Sequence, residues 1–151
     1  MEEDKMKKLH RIRAWGKLQA DIEFGNTKRM GSVYNNSIYF AYLGEGVGSE
    51  QSGERPVLVV DSYGTSSVCI IIPMTLERLE DEKPYHVDLE CGVGTVLVEQ
   101  IRAISKYRIH SGVKLKTGGY AYITEDERDA INKQLLTMCQ LKPLYKKIRN
   151  S

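Results

Sequence analysis

Gly48-Ser49-Glu50-Gln51-Ser52-Gly53-Glu54-Arg55-Pro56 runs directly into Val57-Leu58-Val59-Val60. The first part is polar, with Gly48, Gly53 and Pro56 as turn-formers; the second is a short apolar run of the kind that makes a strand. Pro56 fixes φ at the strand entrance and confines the residue before it to extended backbone, so Arg55 is presented at a loop-to-strand junction. Loops on a rigid scaffold are where binding and catalytic groups concentrate. The Arg55 guanidinium is permanently charged, planar and able to donate two parallel hydrogen bonds, which suits a phosphate or a carboxylate. The competing reading is a surface arginine at a turn, where an exposed ion pair is worth only ~0–1 kcal/mol.

Outward from this junction the chain reads as short strands. Residues Ile38 to Leu43 precede the loop, and Val68 to Ile72 follow the turn-prone segment Asp61-Ser62-Tyr63-Gly64-Thr65-Ser66. His86 to Leu89 and Val96 to Ile101 are further strands, with Glu90-Cys91-Gly92-Val93-Gly94 as the turn between them. No long helix intervenes, so antiparallel pairing is expected, with the strands curling into a barrel because a flat sheet would leave reactive edges. Thr124-Glu125-Asp126-Glu127 has the capping-box arrangement and precedes the apolar spacing Ile131, Leu135, Met138, Leu141, which predicts a C-terminal helix. Pro143 interrupts it, and Lys146, Lys147 and Arg149 make residues 146–151 a basic tail.

Between Asp4 and Phe24, Met6, Leu9, Ile12, Trp15, Leu18 and Ile22 recur every three or four positions, the stripe of an amphipathic helix. Gly16 weakens that helix, and Gly25-Asn26 supplies a stop. The other face carries Lys5, Lys7, Lys8, Arg11, Arg13 and Lys17. Either the stripe packs on the domain and the basic face is solvated, the favoured expectation, or the arm contacts phosphate or a partner. Thr27 to Ser37 reads as a linker. The expected division is a basic arm and linker over 1–36, one domain over 37–145 and the tail: an α+β chain, mainly antiparallel β.

The formal charge of +2 is too small to demand a polyanionic partner by itself. Glu2, Glu3 and Asp4 are unlike a secretory signal, and no apolar stretch reaches the roughly 20 residues of a membrane span, so a cytoplasmic address without membrane attachment is expected. Cys69, Cys91 and Cys139 are odd in number and widely spaced, which favours buried thiols over disulfides. His10, His86 and His110 are scattered too, so no metal-ligand spacing emerges and no cofactor is expected.

Three blocks carry a resemblance. Ile38-Tyr39-Phe40-Ala41-Tyr42-Leu43 with the Gly48 to Val59 stretch, then Ile71-Ile72-Pro73-Met74-Thr75, then Val96 to Ile104 are similar, in that order, to the MazF/PemK toxin family over roughly residues 37 to 142. The resemblance implies a small SH3-like barrel with a C-terminal helix, a homodimer with an RNA groove along its interface, and neutralisation by a cognate antitoxin. It also implies a sequence-specific, ribosome-independent endoribonuclease acting on single-stranded RNA through the 2′-hydroxyl. On that resemblance Arg55 and Thr75 are the catalytic pair, and Gly48, Ser49, Glu50 and Gln51 form the loop over the scissile phosphate. The alternative is a non-catalytic binding module on the same barrel, such as a gyrase-poisoning toxin or an RNA-binding protein. Arg55 and Thr75, which such a module would not need, argue against it.

Overall fold

A computed structural model describes residues 1–141, so Pro143 and the basic tail lie outside the described residues. Its elements are α1 (Glu2–Glu23), β1 (Ile38–Tyr42), β2 (Glu54–Asp61), β3 (Val68–Thr75), β4 (His86–Asp88), β5 (Thr95–Leu97), β6 (Arg102–Ser105), β7 (Ile109–Gly112) and α2 (Glu125–Met138). The strand pairings are antiparallel, as expected. Hydrogen-bonded neighbours run β7-β1-β2-β3-β6, and one 3-10 turn, Lys106–Arg108, carries the chain from β6 back to β7. The sheet therefore curls on itself as a small barrel, and the β4-β5 hairpin extends the far end of β3.

Alternation along the strands explains why they read as continuous apolar runs. Tyr39, Ala41, Val57, Val59, Cys69, Ile71, Ile104 and Ile109 fill the barrel, while Ile38, Leu58, Val60, Ile72 and Met74 point the other way, into a second core that includes Ile131 of α2. With side chains period-2 along a strand and both faces covered, every position of Val57–Val60 is apolar. The ladder exceeds the expected Val57–Val60 because β1 pairs it from Glu54 onward.

The expected strand over Val96 to Ile101 is corrected. It stops at Leu97, and Val98–Gln100 form a 3-10 turn before β6. Met74 faces Val96 while Ile71 faces Arg102, so three steps on β3 span six on the opposing chain. The extra residues are looped out as the turn, which keeps Val98 buried and turns Glu99 and Gln100 outward. The cysteine expectation is also corrected. Cys69 is buried in the barrel, its thiol pushed up by burial against the opposing charge of Lys106, but Cys91 and Cys139 are exposed, in the β4–β5 turn and just past α2.

Helix α1 ends as its sequence signals. Gly25 takes φ +79°, its N–H donates to Ile22 O and the Asn26 N–H to Asp21 O, a Schellman closure. Arg29 Nη2 adds a bond to Ile22 O at 2.7 Å. The apolar stripe is only partly used: Ile22 is buried and Leu9, Trp15 and Leu18 half-buried, whereas Met6 and Ile12 stay about half exposed, at 48% and 49%. Lys8 and Arg11, from the face expected to be solvated, reach the domain at Glu45. The segment after α1 is more than a linker, since Met30 N donates to Ile109 O and Met30 and Val33 pack against the barrel core. The capping box at α2 forms in both directions.

Candidate active site

The register of the β2–β3 pair brings two distant residues together. Val57 faces Pro73, Leu58 faces Ile72 and Val59 faces Ile71; continued toward the loop, the same register sets Arg55 beside Thr75. Both share the parity of the barrel-facing residues Val57, Val59 and Ile71, and they stand at the rim where that interior opens. Each lines one cleft of about 310 Å³, with Ser49, Gln51, Leu79, His86, Leu97, Glu99 and Gln100. Arg55 is half-buried, and its Nε donates to Ser52 O at 3.0 Å, which fixes the near end of the guanidinium and leaves its outer N–H groups to the cleft. Thr75 Oγ1 accepts from Glu77 N at 3.3 Å, so its own hydroxyl proton is available to donate.

Of the loop expected to cover a phosphate, Ser49 and Gln51 line the cleft, whereas Gly48 and Glu50 sit exposed on the loop and do not. Gln100 pins the loop from the barrel side, its Oε1 accepting from Gln51 N at 3.4 Å and its Nε2 donating to Ser49 O at 3.3 Å. The Gln51 side chain ends in a buried oxygen with no partner among the described residues, an unspent acceptor at the cleft wall.

His86, Glu99 and Gln100 join the cleft with no signal in the sequence that marks them as site residues. His86 Nδ1 lies 2.7 Å from Asp81 Oδ2 and Nε2 lies 3.0 Å from Glu99 Oε1, with the imidazole only 9% exposed. The ring is clamped between two carboxylates. Desolvation pulls the Asp81 carboxyl upward, but the His86 hydrogen bond, the Lys83 backbone N–H and the charges of both residues outweigh it and hold the group below its usual value. Glu99 and Gln100 lie inside the Val96 to Ile104 block but follow no alternation, because the 3-10 turn breaks it. A lone histidine next to Tyr85 gave no signal; only the β4–β5 pairing carries it to the cleft. The described residues contain no cluster of three or more His, Cys, Asp or Glu arranged to hold a metal ion. Nor is any of their helices long and apolar enough to cross a membrane.

A family model described as the PemK-like, MazF-like toxin of type II toxin-antitoxin systems matches residues 35–139. The chain is 36% identical over 86 residues to Endoribonuclease EndoA of Bacillus subtilis (strain 168), covering 51% of this chain and 74% of that protein. Among solved structures, MazF from Deinococcus radiodurans superposes with a TM-score of 0.57 at 21% identity, covering 72% of this chain and 96% of its own. An endoribonuclease in complex with its cognate antitoxin, from a mycobacterial species, gives 0.54 at 18% identity, covering 74% and 99%. At such identities the two structures speak for the fold alone.

Proposed function

The chain belongs to the PemK-like, MazF-like toxin family of type II toxin-antitoxin systems, and from that membership we propose that it is an endoribonuclease that cuts single-stranded RNA at the Arg55–Thr75 cleft. One observation carries the reading: the register that joins β2 to β3 puts a planar cation and a free hydroxyl side by side in a cleft walled by a pinned polar loop. That is the donor set a phosphate needs. The likeness to an endoribonuclease from Bacillus subtilis supports the choice of substrate.

In the proposed reaction the 2′-oxygen attacks the adjacent phosphorus, a P–O2′ bond forms and the P–O5′ bond breaks. The fragments are a 2′,3′-cyclic phosphate and a free 5′-hydroxyl. Arg55 and the Thr75 hydroxyl donate to the non-bridging oxygens as charge builds on them, the kind of stabilisation whose loss costs about 10²–10³ in rate per donor. A proton must leave the 2′-hydroxyl and another must reach the 5′-oxygen. Arg55, a guanidinium with donors and no acceptor, is poorly suited to both transfers. His86, in the same cleft and held at Nδ1 by Asp81, has the right chemistry to carry one of them once its Nε2 exchanges Glu99 for the RNA oxygen. The Ser49–Gln51 segment, two of whose residues line the cleft, faces bases next to the cut.

The functional unit we propose is a homodimer in the cytoplasm, silenced by an antitoxin whose acidic segment competes with RNA. Purified protein incubated with a long single-stranded RNA, with and without EDTA, tests the reading by mapping both ends of every cut. Discrete cuts bearing a 5′-hydroxyl and insensitive to EDTA are expected. Binding without cleavage would instead mark a non-catalytic module on the same barrel.

A further inference from the structure

Helix α1 precedes the residues that the family model matches, and it touches the domain at the base of the loop that enters the cleft. We propose that α1 is a positioning arm for the Gly44 to Gly53 loop, acting through Lys8 and Trp15; the role in catalysis rests on the endoribonuclease reading.

The contacts are specific. Gly44 takes φ +86°, and a Cβ there would stand 2.7 Å from Trp15 Cε2, so the indole lies directly on the backbone where the loop begins. Lys8 Nζ donates to Glu45 Oε2 at 2.6 Å and to Gly46 O at 2.8 Å, and Arg11 Nε lies 3.7 Å from the other Glu45 oxygen. The Glu45 side chain is only 11% exposed, far from a solvated surface acid. Gly46, held through its carbonyl, is packed on Glu50: a Cβ at Gly46 would come within 2.7 Å of Glu50 Cβ. The grip of Lys8 therefore passes to the Ser49–Gln51 tip through one layer of atoms. The loop neck is closed by Gly53 N to Gly44 O at 2.6 Å and Leu43 N to Gly53 O at 2.9 Å, and Arg55 follows two residues later.

Two clamps thus hold one loop. Gln100 fastens its far side from the barrel, and Lys8 with Trp15 fastens its near side from the arm. An arm on one flank and the barrel on the other leave the tip little freedom, and tip placement decides where the phosphate sits against Arg55 and Thr75. A misplacement on the order of 1 Å at a reacting centre can cost about 100-fold in rate. Lys8 lines none of the active cleft, so it acts through the loop and is a positioning residue.

The test uses the full chain with Lys8→Met, which keeps the stem and removes the donors, and Lys8→Arg, which restores both charge and donors. Hydrogen exchange of the loop amides and steady-state cleavage of a short RNA are read side by side. Lys8→Met should exchange about tenfold faster at residues 45–51 with β2 and β3 unchanged, and should lose about tenfold in kcat with KM within about twofold. Lys8→Arg should restore both. Unchanged exchange overturns the grip, and faster exchange with unchanged kcat overturns its catalytic role. If the wild-type protein cuts no RNA, it is the endoribonuclease reading that fails, and exchange alone then upholds or overturns the grip.

Discussion

Gly94 is packed against the backbone of Thr75: a Cβ at Gly94 would overlap the Thr75 carbonyl oxygen and stand 2.9 Å from Leu76 Cα. Gly94 also has φ +127°, a region few side chains enter. The β4–β5 turn can therefore approach the end of β3 only because this residue has no side chain. Gly94→Ala should cost about 1–3 kcal/mol through strain and overpacking. Since the displaced atoms belong to Thr75, cleavage should fall even at temperatures where the protein stays folded. Thermal melting and an RNA cleavage assay on the same sample check both halves; full activity in a destabilised variant would disconnect the turn from the site.

Glu127 gives a second, purely structural expectation. It is 7% exposed, with one oxygen accepting from Thr124 N at 2.9 Å and the other from Glu90 N at 3.0 Å, so it caps α2 and ties it to the β4–β5 turn. Thr124→Ala removes one cap and should cost about 1 kcal/mol. Glu127→Ala leaves two backbone donors without their carboxylate and should cost more, about 2–6 kcal/mol, because each partly buried unpaired donor carries about 1–3 kcal/mol. Urea denaturation of the two variants gives the ranking directly. A smaller loss for Glu127→Ala would mean that water replaces the carboxylate at Glu90.

What could be read from the sequence divides along physical lines. The capping box, the Gly25 stop and the strand at Val57 are local signals, each written in a few adjacent residues, and each appears where expected. Arg55 and Thr75 emerge as a pair only from the resemblance, and their adjacency follows from a strand register that no local pattern encodes. The alternation stops short of β6 and β7, each brief and flanked by 3-10 turns, and only the resemblance, through its Val96 to Ile104 block, reaches into β6. His86 carries no local signal for a related reason: its partners Asp81 and Glu99 lie five and thirteen residues away, across a hairpin. Lys8 lies on a basic helical face that reads as solvated, and nothing in α1 announces the acid at Glu45.

Acid should release the His86 clamp at a definable point. The folded-state value of Asp81 is depressed below its ordinary 3.8, so its contribution to stability is fully present above that value and disappears as pH falls through the lower folded-state value. Asp81→Asn should remove that acid-side component. The stability difference between wild type and Asp81→Asn should shrink as pH falls below about 4, near the unfolded aspartate value. The variant should also show an altered pH profile of cleavage, since the imidazole loses the group that orients its Nδ1. Parallel stability curves through pH 3 would show that Asp81 titrates alike folded and unfolded.

The mechanism turns on the geometry at Arg55, which separates charge from shape. Nε is already committed to Ser52 O at 3.0 Å, so the guanidinium meets the phosphate with its outer N–H groups in a fixed plane. Arg55→Lys keeps the charge and loses both the Ser52 anchor and the planar fork, whereas Arg55→Ala loses everything. Arg55→Ala should lower kcat by about 10²–10³, as expected when a donor aimed at developing charge is removed, and Arg55→Lys should recover only a minor part of that. Neither should shift the melting point much, because the side chain is half-exposed at a barrel rim and makes one hydrogen bond. An RNA carrying a single 2′-deoxy sugar at the cut site supplies the other half of the argument. It should bind wild type nearly as well as the all-ribose strand and remain uncut, since its nucleophile is gone. Arg55→Lys with full activity would reduce the arginine to a bulk charge, and cleavage of the 2′-deoxy strand would require a water nucleophile and a different chemistry in this cleft.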